Sequence, residues 1–361
     1  MTVCLVMICK NESRCIARAL ESAKPMIDRW CVVDTGSTDG TQQIVRDCMG
    51  GIAGTLHERS WVDQQHNRNE SFDLAKLEGC DYLLQLDADE RFCFPKGAPP
   101  RGSLTADCYD FTVLLGSIEF ARTTLLSTRF RWRWHGARHP KLIGDGAQQP
   151  IALQPTAYVV PSSDGASWSE PDKYVRHCAE LEQDLRHDPD NPRKRYYLAQ
   201  SYRDAGFLQS ALRAYERRAE MEGWAEERWS AAHEAAKLKE RLEYPIAQIG
   251  AAYLSAYHLR PTRAEPVYRL AKCFRAHGLH RSALEWARVA AVIEKPPDRL
   301  FVEWGVYLWG ALYELGMAAY ECDELEEAQR VIAELERRRP AINRMRAIAG
   351  QPPLVDADDM T

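Results

Sequence analysis

Residues 30–41 read WCVVDTGSTDGT, and this stretch decides the fold of the first part of the chain. Its apolar run predicts a strand at Trp30–Asp34 that ends in a carboxylate. Asp39 is a good helix N-cap residue and predicts a helix that runs to Met49. A strand, a turn and a helix in this order form one unit of an α/β fold with a parallel sheet.

The residues on both sides repeat this alternation of strand and helix. Further strands are predicted at Thr2–Ile8, Gly54–His57, Tyr82–Leu86, Tyr109–Leu115 and Thr128–Trp134. Further helices are predicted at Ser13–Ala23 and Asn69–Leu77. We therefore expect a mostly parallel, Rossmann-like sheet whose ligands bind beyond the carboxyl ends of its strands.

Acidic side chains follow two of these strands. Asp34 ends the second strand, and Asp87 and Asp89 come directly after the fourth. A carboxylate such as that of Asp34 can accept hydrogen bonds from a nucleobase or a ribose, although an aspartate here can also stabilise the turn. Two carboxylates at positions i and i+2 can hold a hard divalent ion, which neutralises a diphosphate.

Four short motifs occur in a fixed order. They are MICKNE at 7–12, VVDTGSTDGT at 32–41, NRNE at 67–70 and LDADE at 86–90. Together they resemble the inverting, GT-A-fold glycosyltransferase family 2, and the resemblance covers roughly residues 1–140. It implies an α/β GT-A domain that binds a nucleotide-sugar, by family default a UDP-sugar, together with Mn²⁺ or Mg²⁺.

The resemblance also implies roles for individual residues. Glu12 and Asp34 are expected to hold the base and ribose, Arg68 and Asp87 to contact the donor nucleotide, and Asp89 to bind the metal. For two of these residues, an interpretation without any role in ligand binding stays open. Glu12 can be a charge favoured by a helix dipole. Arg68 can be a solvated residue at a helix start that the next residue, Asn69, caps.

Residues 131–140, RWRWHGARHP, contain a further candidate ligand. The segment resembles one in some branches of the family that reads Trp-x-Gly-x-x-His-Glu. Trp134, Gly136 and His139 match it, which implies His139 as a third metal ligand; a structural imidazole is the alternative. Pro140 stands where the family has Glu, so no acidic general base is carried over to that position.

The general base and the role of the nearby arginines are left open by the sequence. Glu90, Glu119 and Asp145 lie in the region where a base is expected, and none stands out. The basic run comprises Arg122, Arg129, Arg131, Arg133, Arg138 and Lys141 and alternates with aromatic residues. It fits a solvated strand face opposite a buried aromatic face, a contact to the donor diphosphate or an acidic acceptor, or a nucleic-acid contact.

The second half of the chain contains a repeat of about 36 residues. Leu198, Ala199, Tyr202, Gly206, Ala211 and Tyr215 recur 72 residues later as Leu270, Ala271, Phe274, Gly278, Ala283 and Ala287. Small and aromatic residues at such offsets indicate stacked helix pairs and resemble tetratricopeptide repeats. An irregular helical bundle is the alternative.

These patterns give a domain division. We expect a catalytic domain at 1–165, a linker at Pro161–Pro171, tetratricopeptide-like helices at 170–345 and a tail at 346–361. The repeats are expected to recruit an acceptor or form a homodimer, or else to brace the first domain.

Composition excludes several other classes of protein. The chain has 361 residues, 45% of them hydrophobic, and a net charge of −5, which gives no global attraction to nucleic acid. Its apolar runs are shorter than the about 18 residues of a membrane helix, and no signal peptide is expected. Eleven cysteines without a CxxC pair suggest free thiols in a cytoplasmic protein.

Three functions remain after these exclusions. The leading one is a metal-dependent glycosyltransferase with a peptide or protein acceptor; a saccharide, a lipid-linked acceptor or a modified nucleic-acid base are alternative acceptors. The second is a non-catalytic repeat scaffold with a degenerate sugar domain. A nucleotidyltransferase is disfavoured, because the segment Cys9–Glu12 after the first strand lacks a glycine-rich phosphate loop.

Overall fold

The computed structural model describes residues 1–136, 140–152, 157–166 and 172–353. The chain divides into two compact units. One comprises Met1–Leu115 with Ala121–Pro171, and the other comprises Gly116–Phe120 with Asp172–Thr361. Across the described residues, helices of the length and apolarity that a bilayer crossing requires do not occur.

The first unit is built on a twisted mixed sheet. Its strands are β1 (Val3–Cys9), β2 (Arg29–Asp34), β3 (Ala53–Glu58), β4 (Tyr82–Gln85), β5 (Glu90–Cys93), β6 (Cys108–Leu115), β7 (Ile118–Ser127), β10 (Ile151–Ala152) and β11 (Tyr158–Pro161). The order is β3-β2-β1-β4-β7-β6-β11-β5, with β10 beside β6. The first four strands are parallel, as the alternating pattern predicts. Cys9 pairs with Asp34 and Val6 with Gln85, so β2 and β4 end on either side of the end of β1.

Three helices connect the parallel strands. They are α1 (Ile16–Ala23), α2 (Thr41–Met49) and α3 (Gln64–Lys76). Helix α3 begins five residues earlier than the predicted start at Asn69, because the Asp63 carboxylate accepts the His66 N–H at 2.7 Å and caps it there. The interpretations of Asn69 as a cap and of Arg68 as a residue at the helix start are therefore wrong. The Asn69 amide instead bonds to the backbone of Trp134.

The predicted strand at Thr128–Trp134 is also different in the structure. Strand β7 lies before it, and a turn separates β7 from a small hairpin of β8 (Trp132–His135) and β9 (Lys141–Gly144). Trp132 is buried in the core, against which Phe130 and Trp134 pack. Of the arginines, Arg129 is 61% exposed and pairs with Asp107, as expected of a solvated face, whereas Arg133 is only 21% exposed and pairs with Asp73.

The second unit is a run of helical hairpins. Its helices are α4 (Lys173–His187), α5 (Pro192–Asp204), α6 (Leu208–Glu220), α7 (Ala225–Arg241), α8 (Ile246–Leu259), α9 (Glu265–Ala276), α10 (His280–Val292), a π-helical turn (Val306–Gly310), α11 (Ala311–Glu321) and α12 (Leu325–Ile348). Small residues at the repeated positions, such as Ala199, Ala211, Ala271 and Ala283, have no exposed surface and let paired helices approach closely. The tetratricopeptide-like architecture predicted from the repeat is confirmed.

The turns inside four hairpins share one backbone geometry. Gly206, Glu243, Gly278 and Asp323 all have positive φ, between 55° and 83°. Each follows the end of the first helix, and the next residue closes the turn with a hydrogen bond from its N–H to a carbonyl five residues earlier. The four positions are 37, 35 and 45 residues apart. The longer last interval contains an extended segment, Ile293–Glu303, which we call the linker segment.

The linker segment is held by polar contacts within the helical unit. The Arg263 side chain is fully buried, and its five N–H groups all donate: to both carboxylate oxygens of Glu265, to Asp298, and to the carbonyls of Leu300 and Phe301. The Glu226 carboxylate also accepts the backbone N–H groups of Arg299 and Leu300 in the segment, at 2.8 Å each. The segment is thus bound as an extended peptide would be, through its main chain as well as its side chains.

Candidate nucleotide and metal site

Asp34 lies at the carboxyl end of β2 and is 1% exposed. Its Oδ1 accepts the N–H groups of Gly36 at 3.0 Å and Ser37 at 2.8 Å, and the side-chain amide of Gln42 at 3.1 Å. Gly36 has φ of 102°, a conformation that favours glycine. Asp34 therefore shapes the turn that follows β2, so any contact it makes with a nucleoside is additional to this structural role.

Glu12 lies at the start of α1, where its carbonyl accepts the Ile16 N–H. Its backbone N–H donates to Thr41 Oγ1 at 2.9 Å, which ties it to the first turn of α2. Its Oε2 accepts the Cys15 thiol and the Ala166 N–H, both at 3.1 Å. Glu12 thus lies at a helix start, as the interpretation without a ligand-binding role expects. Its carboxylate also binds the backbone of Ala166, which is distant in the chain.

Arg68 and Asp87 form an ion pair at the end of β4. One guanidinium nitrogen of Arg68 lies 2.9 and 3.0 Å from the two carboxylate oxygens of Asp87, and the guanidinium stacks over Trp134 at 5.1 Å. The Arg68 side chain is 16% exposed and that of Asp87 36% exposed. Burial opposes ionisation of Asp87, but the guanidinium groups of Arg68 and Arg122 outweigh it and lower the pKa of this carboxyl.

The turn Asp87–Glu90, which we call the acidic turn, is held by a second ion pair. The sequence did not predict this pair. Both carboxylate oxygens of Glu90 accept from Arg122 on β7, at 2.7 and 2.6 Å. Glu90 also accepts the Asp87 N–H at 3.2 Å, and its own N–H donates to the Asp87 carbonyl at 3.1 Å. Arg122 thus fixes Glu90, and Glu90 fixes the backbone of Asp87.

Residues 162–166, which we call the strap, also hold the acidic turn, through contacts with Asp89. Ser162 donates to the Asp89 carbonyl through its N–H at 2.9 Å and its hydroxyl at 2.6 Å. Gly165 packs so closely that a Cβ there would lie 2.7 Å from the Cβ of Asp89. Arg18 binds Asp164 at 2.8 Å. The prediction of a linker beginning at Pro161 is therefore wrong for this part, which forms a wall of the site.

Metal-binding capacity rests on the donor chemistry of Asp87 and Asp89. Their carboxylates are ligands that Mg²⁺ and Mn²⁺ prefer, and donor phosphate oxygens would have to complete the coordination. Within the described ranges, groups of three or more His, Cys, Asp or Glu side chains arranged to hold a metal ion were not found. His139, the predicted third ligand, lies outside the described residues.

The three residues considered as general base have different surroundings. Glu90 has both oxygens committed to Arg122. Glu119 belongs to the helical unit and pairs there with Lys295. Asp145 is exposed just beyond β9. The structure thus brings Arg68, Asp87 and Asp89 together after β4 and places Asp34 at the end of β2 and Glu12 just before α1. Among the described residues it singles out no base.

An α/β sheet with acidic side chains beyond its parallel strands places this unit in the class of α/β domains that bind ligands at that edge. Residues 4–95 match the family described as glycosyl transferase family 2. The chain therefore carries a glycosyl transferase family 2 domain, followed by tetratricopeptide-like helices.

Other comparisons concern part of the chain. A TPR repeat-containing protein of Synechococcus elongatus is 29% identical over 172 residues, which are 44% of this chain and 41% of that relative. The chain thus spans about two-fifths of the relative's length. Among solved structures, MamA is 17% identical with a TM-score of 0.38, covering 46% of this chain and 88% of MamA. YrrB, a TPR protein with an unusual peptide-binding site, is 16% identical with a TM-score of 0.36, covering 47% of this chain and 79% of YrrB.

Proposed function

We propose that the protein is an inverting glycosyltransferase that moves a sugar from a nucleoside-diphosphate sugar, a UDP-sugar first among them, to an acceptor in the presence of Mn²⁺ or Mg²⁺. The observation that carries this proposal is the acidic turn Asp87–Glu90, placed beyond a buried parallel strand, fixed from two sides and paired with Arg68.

Different residues of the chain bind different parts of the donor. Asp34 and Glu12 hold the nucleoside beside the turn after β2. Arg68 is the cation for the diphosphate, which competes with Asp87 for its guanidinium because that pair is only partly buried. Asp89, with His139, holds the divalent ion. When bound, this ion stabilises the negative charge of the departing diphosphate as a Lewis acid.

The acceptor we propose is a peptide or protein, recruited by the helical unit, which can also join two copies of the chain. A saccharide acceptor fits the domain equally well in its chemistry. A nucleic-acid base is less well supported, because Arg129 and Arg133 of the basic run are paired with aspartates. A non-catalytic scaffold with a degenerate sugar domain is less well supported, because Asp87 and Asp89 are both present after β4.

The decisive experiment measures transfer from radiolabelled sugar donors by Asp89→Ala and by the control Asp47→Ala, an exposed aspartate on α2. A thermal-shift screen of UDP-, GDP- and dTDP-sugars with Mn²⁺ first selects the donor. We expect Asp89→Ala and EDTA each to abolish transfer while the fold is retained, because a carboxylate at a strand end is not part of the core. Full activity in Asp89→Ala, or in EDTA, would refute the proposal.

The role of His139 is tested separately by Mn²⁺ titration. His139→Ala should weaken Mn²⁺ binding more than His135→Ala does. Transfer should also fall as acid protonates the imidazole, because only the neutral ring binds a metal. Equal Mn²⁺ affinity in wild type and His139→Ala would leave this histidine a structural role.

A further inference from the structure

The loop Arg59–Asp63, between β3 and α3, presents an indole ring to solvent. Trp61 is 49% exposed, and its neighbour Val62 is 58% exposed. Two adjacent apolar side chains on a loop at the carboxyl edge of a parallel sheet lie where α/β proteins bind ligands. This loop is therefore a candidate part of the donor site that none of the four motifs covers.

The loop is fixed by buried polar contacts. At its start, the Arg59 N–H donates to the carbonyl of Asp34 at 2.9 Å. At its end, Asn67 has no exposed surface; its Oδ1 accepts the Val62 N–H at 2.9 Å and its Nδ2 donates to the Ser60 carbonyl at 3.0 Å. These hydrogen bonds fix the backbone on both sides of Trp61, so the loop holds the Cα of this residue at the surface.

The position of Trp61 relates it to the nucleoside end of the site. Its Cα lies at most about 7.6 Å from that of Arg59, since consecutive Cα atoms are 3.8 Å apart. Arg59 is bonded to Asp34, the residue after which the turn begins. The ring of Trp61 is thus within reach of a planar group held beside Asp34.

The motif residues around Asp34 offer no other large ring. Residues 9–12 and 34–41, which form the first two turns at this edge, contain no Phe, Tyr or Trp. The ring of Trp134 instead stacks with the guanidinium of Arg68 and packs against the core. The residues of these two turns thus supply no stacking partner for a nucleobase, whereas the loop after β3 supplies the exposed ring of Trp61.

We propose that Trp61 stacks on the nucleobase of the donor and so fixes the nucleoside half of the substrate. This inference rests on the proposed function, because it assigns a residue to the donor of that same reaction. Stacking uses the π face, which every base has, so Trp61 contributes affinity for nucleotides in general. The choice among bases is left to hydrogen bonds from the neighbouring turns.

The test is isothermal titration of UDP, GDP and inorganic pyrophosphate, each with Mn²⁺, into the full chain. The variants are Trp61→Ala, Trp61→Phe and the control Trp224→Ala, which removes an indole of similar exposure, 44%, from the helical unit. Stacking of one base on an aromatic ring contributes roughly 1–3 kcal/mol, which is about a 5- to 150-fold change in affinity. Trp61→Ala should lose this much affinity for UDP and GDP and none for pyrophosphate, and Trp61→Phe should keep most of it.

Each result decides the question. UDP affinity in Trp61→Ala equal to that in wild type and Trp224→Ala would overturn the stacking role. An equal loss for UDP and pyrophosphate would also overturn it, because the variant would then have disturbed the diphosphate site. If wild type binds pyrophosphate but no nucleotide, or binds neither, the proposed function itself fails and stacking fails with it. Both variants are at an exposed position, so folding is preserved.

Discussion

The strand-end site and the centre of the helical unit both contain arginine–carboxylate clusters, but the two clusters differ in burial. Arg68 and Asp87 remain 16% and 36% exposed. Arg263 and Glu265 have no exposed surface, Asp298 has 2%, and the Arg263 guanidinium also lies 3.6 Å above the ring of Trp229. A partly exposed pair can exchange one partner for a ligand, whereas a fully buried pair can only be kept or broken.

The largest expected effect comes from breaking the buried cluster. Arg263→Met removes the cation and leaves Glu265 buried without it, whereas Asp298 keeps its ion pair with Arg260. Removing one partner of a buried ion pair typically costs about 3–5 kcal/mol of unfolding free energy. Urea unfolding followed by circular dichroism should show this loss. The exposed pair of Arg281 and Glu324 provides the control, since Arg281→Met should leave the unfolding midpoint unchanged.

The strap provides the second test, on activity rather than stability. Gly165→Ala adds a Cβ that would lie 2.7 Å from the Cβ of Asp89, so the strap, the acidic turn or both must shift, and we expect the contact to displace Asp89. A displacement of about 1 Å at a reacting centre costs roughly 100-fold in rate. Transfer should fall by that order while the thermal midpoint changes little. Gly51→Ala, where an added Cβ meets nothing within 4 Å, should behave as wild type.

In Gly165→Ala, we expect the contact between the strap and Asp89 to transmit the shift to the acidic turn. A Gly165→Ala variant with wild-type turnover and Mn²⁺ affinity would show that the acidic turn tolerates the added Cβ at no cost and would contradict the prediction.

Asp34 separates structural from ligand-binding contributions. Asp34→Asn keeps an oxygen for the N–H groups of Gly36 and Ser37 but removes the charge, whereas Asp34→Ala removes both. We expect donor affinity to fall by roughly 1–3 kcal/mol in both variants, the range for a lost hydrogen bond to a charged group. Only Asp34→Ala should also lower the unfolding free energy. Calorimetry with UDP and parallel urea titrations measure the two effects, and unchanged UDP affinity in both variants would exclude Asp34 from binding.

The smallest expected effects are in the hairpin turns. Gly206→Ala places a side chain at φ of 83°, which costs about 1–2 kcal/mol for a residue other than glycine. The reverse change, Glu243→Gly, relieves the same strain at φ of 55° and should stabilise the unit by up to about 1 kcal/mol. Opposite shifts of the thermal midpoint would confirm that backbone strain at positive φ governs both of these turns. Shifts of the same sign would show that the side chain at each turn, and not its backbone, sets stability.

Sequence patterns predicted what depends on periodicity. The four parallel strands and the helical hairpins follow from apolar spacing, and the acidic turn follows from its place after an apolar strand. The start of α3 was missed because it depends on a single cap, Asp63, ahead of a polar first turn. Strand β7 was missed although its run of threonine and leucine, residues 123–126, favours a strand.

Contacts between distant residues could not be predicted in the same way. The strap has the Ser, Asp and Gly residues of any loop, and only the fold brings Gly165 against Asp89. Arg122 was recognised as basic, but its partner Glu90 is 32 residues away and lies on another strand. Such pairings have no local signal, because they depend on which strands become neighbours in the sheet.

The linker segment has a consequence for what the helical unit can bind. Because it is covalently attached, it is present at its own site at an effective concentration on the order of mM, the range for short tethers. A free peptide directed to the side chains that hold it, such as Glu226 and Arg263, would have to outcompete this tethered occupant before any affinity was measured. Partner peptides with micromolar intrinsic affinity would therefore be read out as far weaker binders at that surface, and recruitment by the helical unit would have to use its other faces.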